Sequence, residues 1–206
     1  MPTTALILYL LALAVTFGVR SWLHVRRTGD SGFRRPDEPV GSPGWWGAVL
    51  FIAALVLGLL GPVLAIADVL APLAVLDGQV AGWLGLVLAL LSFLGVLAAQ
   101  TGMGPSWRIG VDSTERTSLV TTGSFGLARN PVFTAMIAAF AGLCLMVPNW
   151  VQLLGLASLV AGIEIQVRMV EEPYLARVHG ADYTAYAARV GRFLPGVGRG
   201  RATTRQ

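Results

Sequence analysis

Five apolar runs, at residues 4–23, 45–66, 80–99, 132–147 and 150–169, are separated by polar segments that carry most of the charge. An apolar run of about 20 residues crosses the ~30 Å hydrocarbon core of a bilayer as an α-helix, and in lipid a helix satisfies its own backbone hydrogen bonds. The chain is therefore read as all-α, a polytopic membrane protein of about five transmembrane helices. Only 13% of its 206 residues are charged, where soluble domains carry about 25%. The first run lacks the basic start and small-residue cleavage site of a signal peptide and is read as a retained helix.

The basic residues are all arginine, and their placement sets the topology. Five spans put segments 20–44, 100–130 and the C-terminal tail on one side, and these hold all 15 arginines. The opposite side has Asp68 and Asp77 and no arginine. Under the positive-inside rule the arginine-bearing side, including the C-terminus, is cytoplasmic and the N-terminus points out. The net charge of +4 is explained by this orientation, so no nucleic-acid partner is expected. The single cysteine, Cys144, excludes an intramolecular disulfide and the usual cysteine-based zinc sites. His179 has no evident ligand partner, so no metal site is expected.

Local signals fill in the frame. Trp45-Trp46 opens the second span as an interfacial anchor, and Gly61-Pro62 predicts a kink at its far end. The segment 24–44, with Arg34, Arg35 and Pro36, reads as a loop. The connection 100–130 is the longest polar one; it contains Trp107, Arg108, Asp112, Glu115 and Arg116. Ser118–Thr122 is too β-branched for a helix. Pro148-Asn149 allows only a tight turn between the last two runs, which are expected to pack antiparallel as a hairpin. Ala135, Ala138 and Gly142 form a small-residue stripe on the first hairpin helix, and Gly155, Ser158 and Gly162 form one on the second. Such stripes let helix backbones approach closely in lipid.

The chemistry-bearing residues gather between 129 and 195. Asn130-Pro131 reads as an N-cap followed by proline at the first helical position. Beside it, Arg129 makes the helix N-terminus a seat for a carboxylate or phosphate; a plain cap with a lipid-facing arginine is the structural alternative. Further on, Glu164–Arg168 and Arg168–Glu172 are both i,i+4 pairs. Of the adjacent Glu171 and Glu172, one is then free for an ammonium or ribose group of a ligand, unless both end a solvated helix. Tyr183 and Tyr186 lie i,i+3 on a short helix after a break at Gly180. Their rings suit an adenine or a sulfonium cation, or else anchor the segment at the interface.

The ordered set from Gly102-Met103-Gly104-Pro105 through "LVTTGSFGLARNPVF" to "VRMVEEPYLARVHGADYTAYAARVGRFLP" resembles the isoprenylcysteine carboxyl methyltransferase family, relatives of the phospholipid methyltransferases. The family pattern is Arg-His-Pro-x-Tyr, a helical hairpin, Glu-Glu-x-x-Leu, Gly-x-x-Tyr-x-x-Tyr and an Arg-x-x-Pro-like end. Arg129, Pro131, Glu171, Glu172, Leu175, Gly180, Tyr183, Tyr186, Arg192 and Pro195 match it. Asn130 replaces the family histidine and Phe133 its tyrosine. The resemblance implies S-adenosylmethionine as cofactor, with Arg129, Asn130, Pro131, Glu171, Glu172, Tyr183 and Tyr186 binding it. It makes Arg129, Glu172 and Arg192 the catalytic candidates.

The expectation is thus one membrane domain over 1–206. Residues 1–100 form a transmembrane frame, 101–195 the methyltransferase-like region with its C-terminal hairpin and short cytoplasmic cap, and 196–206 a flexible tail. The methyl acceptor is a lipophilic or small molecule (carboxylate, amine or thiol) or a membrane lipid. Two alternatives are an NADPH-dependent membrane reductase of sterol-reductase-like layout and a non-enzymatic membrane binding or transport protein. The transport reading would place Glu164–Arg168 as an intramembrane pair.

Overall fold

The computed structural model describes residues 1–30, 38–104 and 118–200. The loop expected through Arg34, Arg35 and Pro36, the polar stretch from Trp107 to Arg116 and the tail 201–206 lie outside the described residues. Among the described residues four helices are long and apolar enough to cross a membrane, and a fifth apolar helix is shorter. Helix α1 (Pro2–Thr28) contains a π-helical stretch at Ala14–Val19 and ends on Gly29 in the left-handed conformation. Helix α2 (Pro43–Ile66) opens with Pro43 at its first turn and a Ser42 side-chain cap that accepts from the Trp45 N–H. It continues as one helix through the buried Pro62, where sequence predicts a kink. Helix α3 (Gln79–Gly102) returns across the bundle.

Helix α4 (Pro131–Met146) has 16 residues and rises about 24 Å, short of a full hydrocarbon core. After the turn, helix α5 (Trp150–Ile165) is capped by Asn149, whose side chain accepts from Gln152 N–H at 2.9 Å. A π-helical stretch, Gln166–Glu171, leads into helix α6 (Glu172–Arg189), which breaks at Gly180 (φ 51°, ψ −119°). Ser118–Thr122 is not helical, and Gly123–Gly126 forms one 3₁₀ turn.

The small-residue stripes face other partners than the hairpin alone suggests. A methyl on Gly142 would lie 2.7 Å from the backbone of Gly85 and Ala89, so α4 lies directly against α3. One on Gly162 would meet Gly47 O at 2.9 Å, so α5 lies against α2. Between the two hairpin helices stands Phe140, buried against Gly155 and Gly58. The close approaches are therefore α3–α4 and α2–α5, with the hairpin helices wedged apart by a ring. Tyr9 ties α1 to α2 by donating to Leu55 O at 2.6 Å. The connection 67–78 is fastened to the hairpin turn by Leu73 N–H donating to Pro148 O at 2.7 Å.

These contacts collect the described arginines at one end of the bundle. Gly95 near the end of α3 faces Ala135 near the start of α4, and Arg20 on α1 donates to Gln100 O at 2.8 Å. His24 and Gln100 are buried at this same end.

Candidate active site at the arginine-bearing end

The start of α4 is held by main-chain contact with the segment after α6. Arg129 N–H donates to Gly191 O at 2.8 Å and Asn130 N–H to Arg192 O at 3.0 Å, beside a single parallel bridge between Ala128 and Gly191. Position 191 needs glycine, since a methyl there would collide with the Leu194 and Val197 backbones. Asn130 occupies the N-cap position with Pro131 following, but its side chain does not cap. Its Nδ2 instead donates to Arg192 O at 3.1 Å. Thr134 adds a donor to Phe193 O at 2.7 Å. Sequence reasoning missed Thr134 because its partner is a backbone carbonyl far along the chain, which no motif marks.

Glu172 draws the three catalytic candidates together. Its Oε1 accepts from Arg129 Nη2 at 2.6 Å and Arg192 Nε at 2.7 Å, and its Oε2 accepts from Arg192 Nη2 at 2.8 Å. The Arg192 contact is a two-pronged fork, the geometry a guanidinium and a carboxylate share. Arg129 Nη1 also donates to Val190 O at 2.6 Å and Ala187 O at 3.2 Å. The Arg129 side chain is only 3% exposed. Hydrogen bonding to Glu172, against the opposing effect of burial, pushes the Arg192 pKa further above its ordinary value. Arg129 is thus engaged internally by its terminal nitrogens, where sequence offers them to a ligand carboxylate. Only its Nε is buried without a partner.

The i,i+4 pairing expected along this helix forms once and then fails. Arg168 Nε pairs with Glu164, but Glu172 pairs with Arg129 and Arg192 instead. The cause is the π-helical stretch Gln166–Glu171: its i→i+5 bonding inserts extra backbone and rotates everything after it. Glu171 is left half-buried with no hydrogen bond or ion pair among the described residues. His179 Nε2 is likewise buried without a partner.

Tyr183 and Tyr186 pack edge to face, 6.3 Å between ring centres, in a small core with Leu119, Leu175 and Val190. Tyr186 donates to Phe125 O at 2.7 Å, fastening the 3₁₀ turn. Both rings are buried, so in this conformation neither presents an open face for stacking. Among the described residues no three His, Cys, Asp or Glu side chains gather as a metal site.

A model of the phospholipid methyltransferase family matches residues 78–182, just over half the chain. The chain belongs to that family. The match runs from the start of α3 through the hairpin and the Glu171-Glu172 pair into α6, and it stops before Tyr183 and Arg192. Among curated proteins none matches the chain. Family membership and the apolar helices make this a membrane methyltransferase.

Proposed function

We propose that the chain transfers a methyl group from S-adenosylmethionine to a lipophilic or small acceptor at the cytoplasmic face of a membrane. The observation that carries this reading is the pair of unmet groups beside the ion cluster: the unpaired Glu171 carboxylate and the buried, unpartnered Arg129 Nε. The amino-acid end of the cofactor carries an ammonium and a carboxylate, and these two groups suit its opposite charges. Glu171 accepts from the ammonium or a ribose hydroxyl, and Arg129 faces the carboxylate. Asn130, bonded to Arg192 O, and Pro131 fix the start of α4 next to Arg129. Tyr183 and Tyr186, buried in their own small core, support the segment that carries Arg192.

The roles of Glu172 and Arg192 follow from their bonds. Together with Arg129 they hold the 190–197 segment on the start of α4, and so act as positioning residues. When bound, the cofactor supplies a methyl already activated on a sulfonium. The protein then aligns an in-line approach and excludes water. A carboxylate acceptor needs no base. For an amine or thiol acceptor, Glu171 or His179, with its unpartnered Nε2, takes the proton. The family name favours a lipid acceptor, and a site at the edge of an apolar bundle favours its lateral arrival. The arginine-bearing end is assigned to the cytoplasm by the positive-inside rule.

Calorimetry on the purified protein in detergent tests this reading with S-adenosylmethionine and NADPH in parallel. S-adenosylmethionine is expected to bind, and Glu171→Ala to weaken it about tenfold or more, the worth of a charged hydrogen bond. Binding of NADPH alone, or unchanged affinity in Glu171→Ala, sinks the proposal.

A further inference from the structure

The ion pair Glu164–Arg168 lies outside the Arg129–Glu172–Arg192 cluster, the latch that holds residues 190–197 on the start of α4, and its position is unusual for charged groups on a membrane helix. Ionisable side chains in a span ordinarily face the bundle interior or a cavity. Here the side chains are 36% and 52% exposed. Arg168 continues the outward-facing stripe Leu154, Ala157 and Ala161, the side of α5 that meets lipid.

The depth of the pair is fixed by its neighbours. Gly47 of α2 is in contact with Gly162, Ile165 and Gln166, so the adjoining Trp45-Trp46 pair sits at the same level as Glu164 and Arg168. Trp46 is exposed and stacked edge to face on Trp45, the arrangement of an interfacial aromatic belt. That is the level of lipid phosphates. Arg168 is also aimed by two constraints: Glu164 holds its Nε, and its backbone lies within the π-helical stretch that re-aims the helix, a feature found at functional sites. The charge of Glu164 in turn reaches Arg192 of the latch, so the pair borders the proposed site.

We propose that Arg168, oriented by Glu164, seats the phosphodiester of a membrane phospholipid at the lipid-facing edge of the site, fixing where an acceptor headgroup stands. Arg168 supplies the guanidinium that matches phosphate geometry, and Glu164 is a positioning residue. The inference rests on the methyltransferase reading only for the use made of the bound lipid.

Native mass spectrometry of the full chain in detergent tests it, with dioleoylphosphatidylglycerol and dioleoylglycerol as probes that share acyl chains and differ in the phosphate. The wild type is expected to retain the phospholipid about tenfold better. Arg168→Gln removes that preference, Arg168→Lys keeps at least half of it, and Glu164→Gln weakens it partially. A wild type without preference, or Arg168→Gln with the full preference, overturns the proposal. So does equal loss in the lysine and glutamine variants, which would mark a packing role. Glycerol 3-phosphate is expected to displace the lipid poorly; complete displacement would assign the seat to a soluble phosphate and overturn the lipid assignment. S-adenosylmethionine binding, measured on the same samples, separates the two readings. A preference that tracks Arg168 in a protein that binds no S-adenosylmethionine fails the methyltransferase reading and leaves the lipid seat standing. Cofactor binding without the preference does the reverse.

Discussion

Glu171 and Glu172 are neighbours of identical chemistry with opposite fates. Glu172 accepts three charge-assisted hydrogen bonds from two arginines, while Glu171 accepts none among the described residues. Removing Glu172 leaves the Arg129 guanidinium, 3% exposed, without its counter-charge, and breaking such a buried pair costs about 3 kcal/mol or more. Glu172→Ala is therefore expected to lower the unfolding midpoint in detergent clearly, and Glu171→Ala to leave it nearly unchanged while weakening the cofactor. Equal midpoints for the two variants would remove the latch from the account. The acid pair was plain in the sequence; its division of labour was not. An i,i+4 argument assumes continuous α-helix, and the π-helical stretch just before Glu172 turned it from Arg168 toward partners 43 and 20 residues away. Asn130 shows the same limit: its N-cap position was foreseeable, but its side chain does not cap and bonds instead to Arg192 O, a distant carbonyl.

Helices 3, 4 and 5 extend that lesson from single side chains to elements. Apolar runs give the helices, and the glycines and alanines give the close-approach faces, both by local pattern. Which helix meets which face is a matter of shape: Phe140 occupies the space between α4 and α5, so Gly142 and Gly162 serve α3 and α2 instead. The atoms that a methyl at either glycine would meet are backbone or the first side-chain carbon, which cannot swing aside. Gly142→Ala and Gly162→Ala are expected to destabilise the protein by about 1–3 kcal/mol, the usual cost of overpacking. Gly102 at the end of α3 has nothing within 4 Å, and Gly102→Ala should be neutral or slightly stabilising because alanine favours helix. Unfolding of the three variants under a denaturing-detergent titration checks this; a Gly102→Ala cost matching the other two would mean that helix propensity and not close approach is being measured.

At the scale of the whole molecule, the two ends of the bundle differ in charge, and the proposed chemistry depends on which end faces the cytosol. One end gathers Arg20, Arg129, Arg168 and Arg192 with the latch and the unpaired Glu171. The other carries Asp68, Asp77 and the hairpin turn, with Leu73 bonded to Pro148 O. Moving arginine-rich segments across a membrane is disfavoured, and on that ground the proposed function places the latch on the cytosolic side. Cysteine labelling in right-side-out vesicles decides the matter, with the buried Cys144 replaced by alanine beforehand. Asp77 and Arg199 are both exposed and lie on opposite sides in this topology. Asp77→Cys should react with an impermeant maleimide added outside, and Arg199→Cys only after permeabilisation. The reversed pattern would put the latch and Glu171 on the outer face, away from cytosolic S-adenosylmethionine, and the proposed reaction would lose its methyl donor even with the cluster intact.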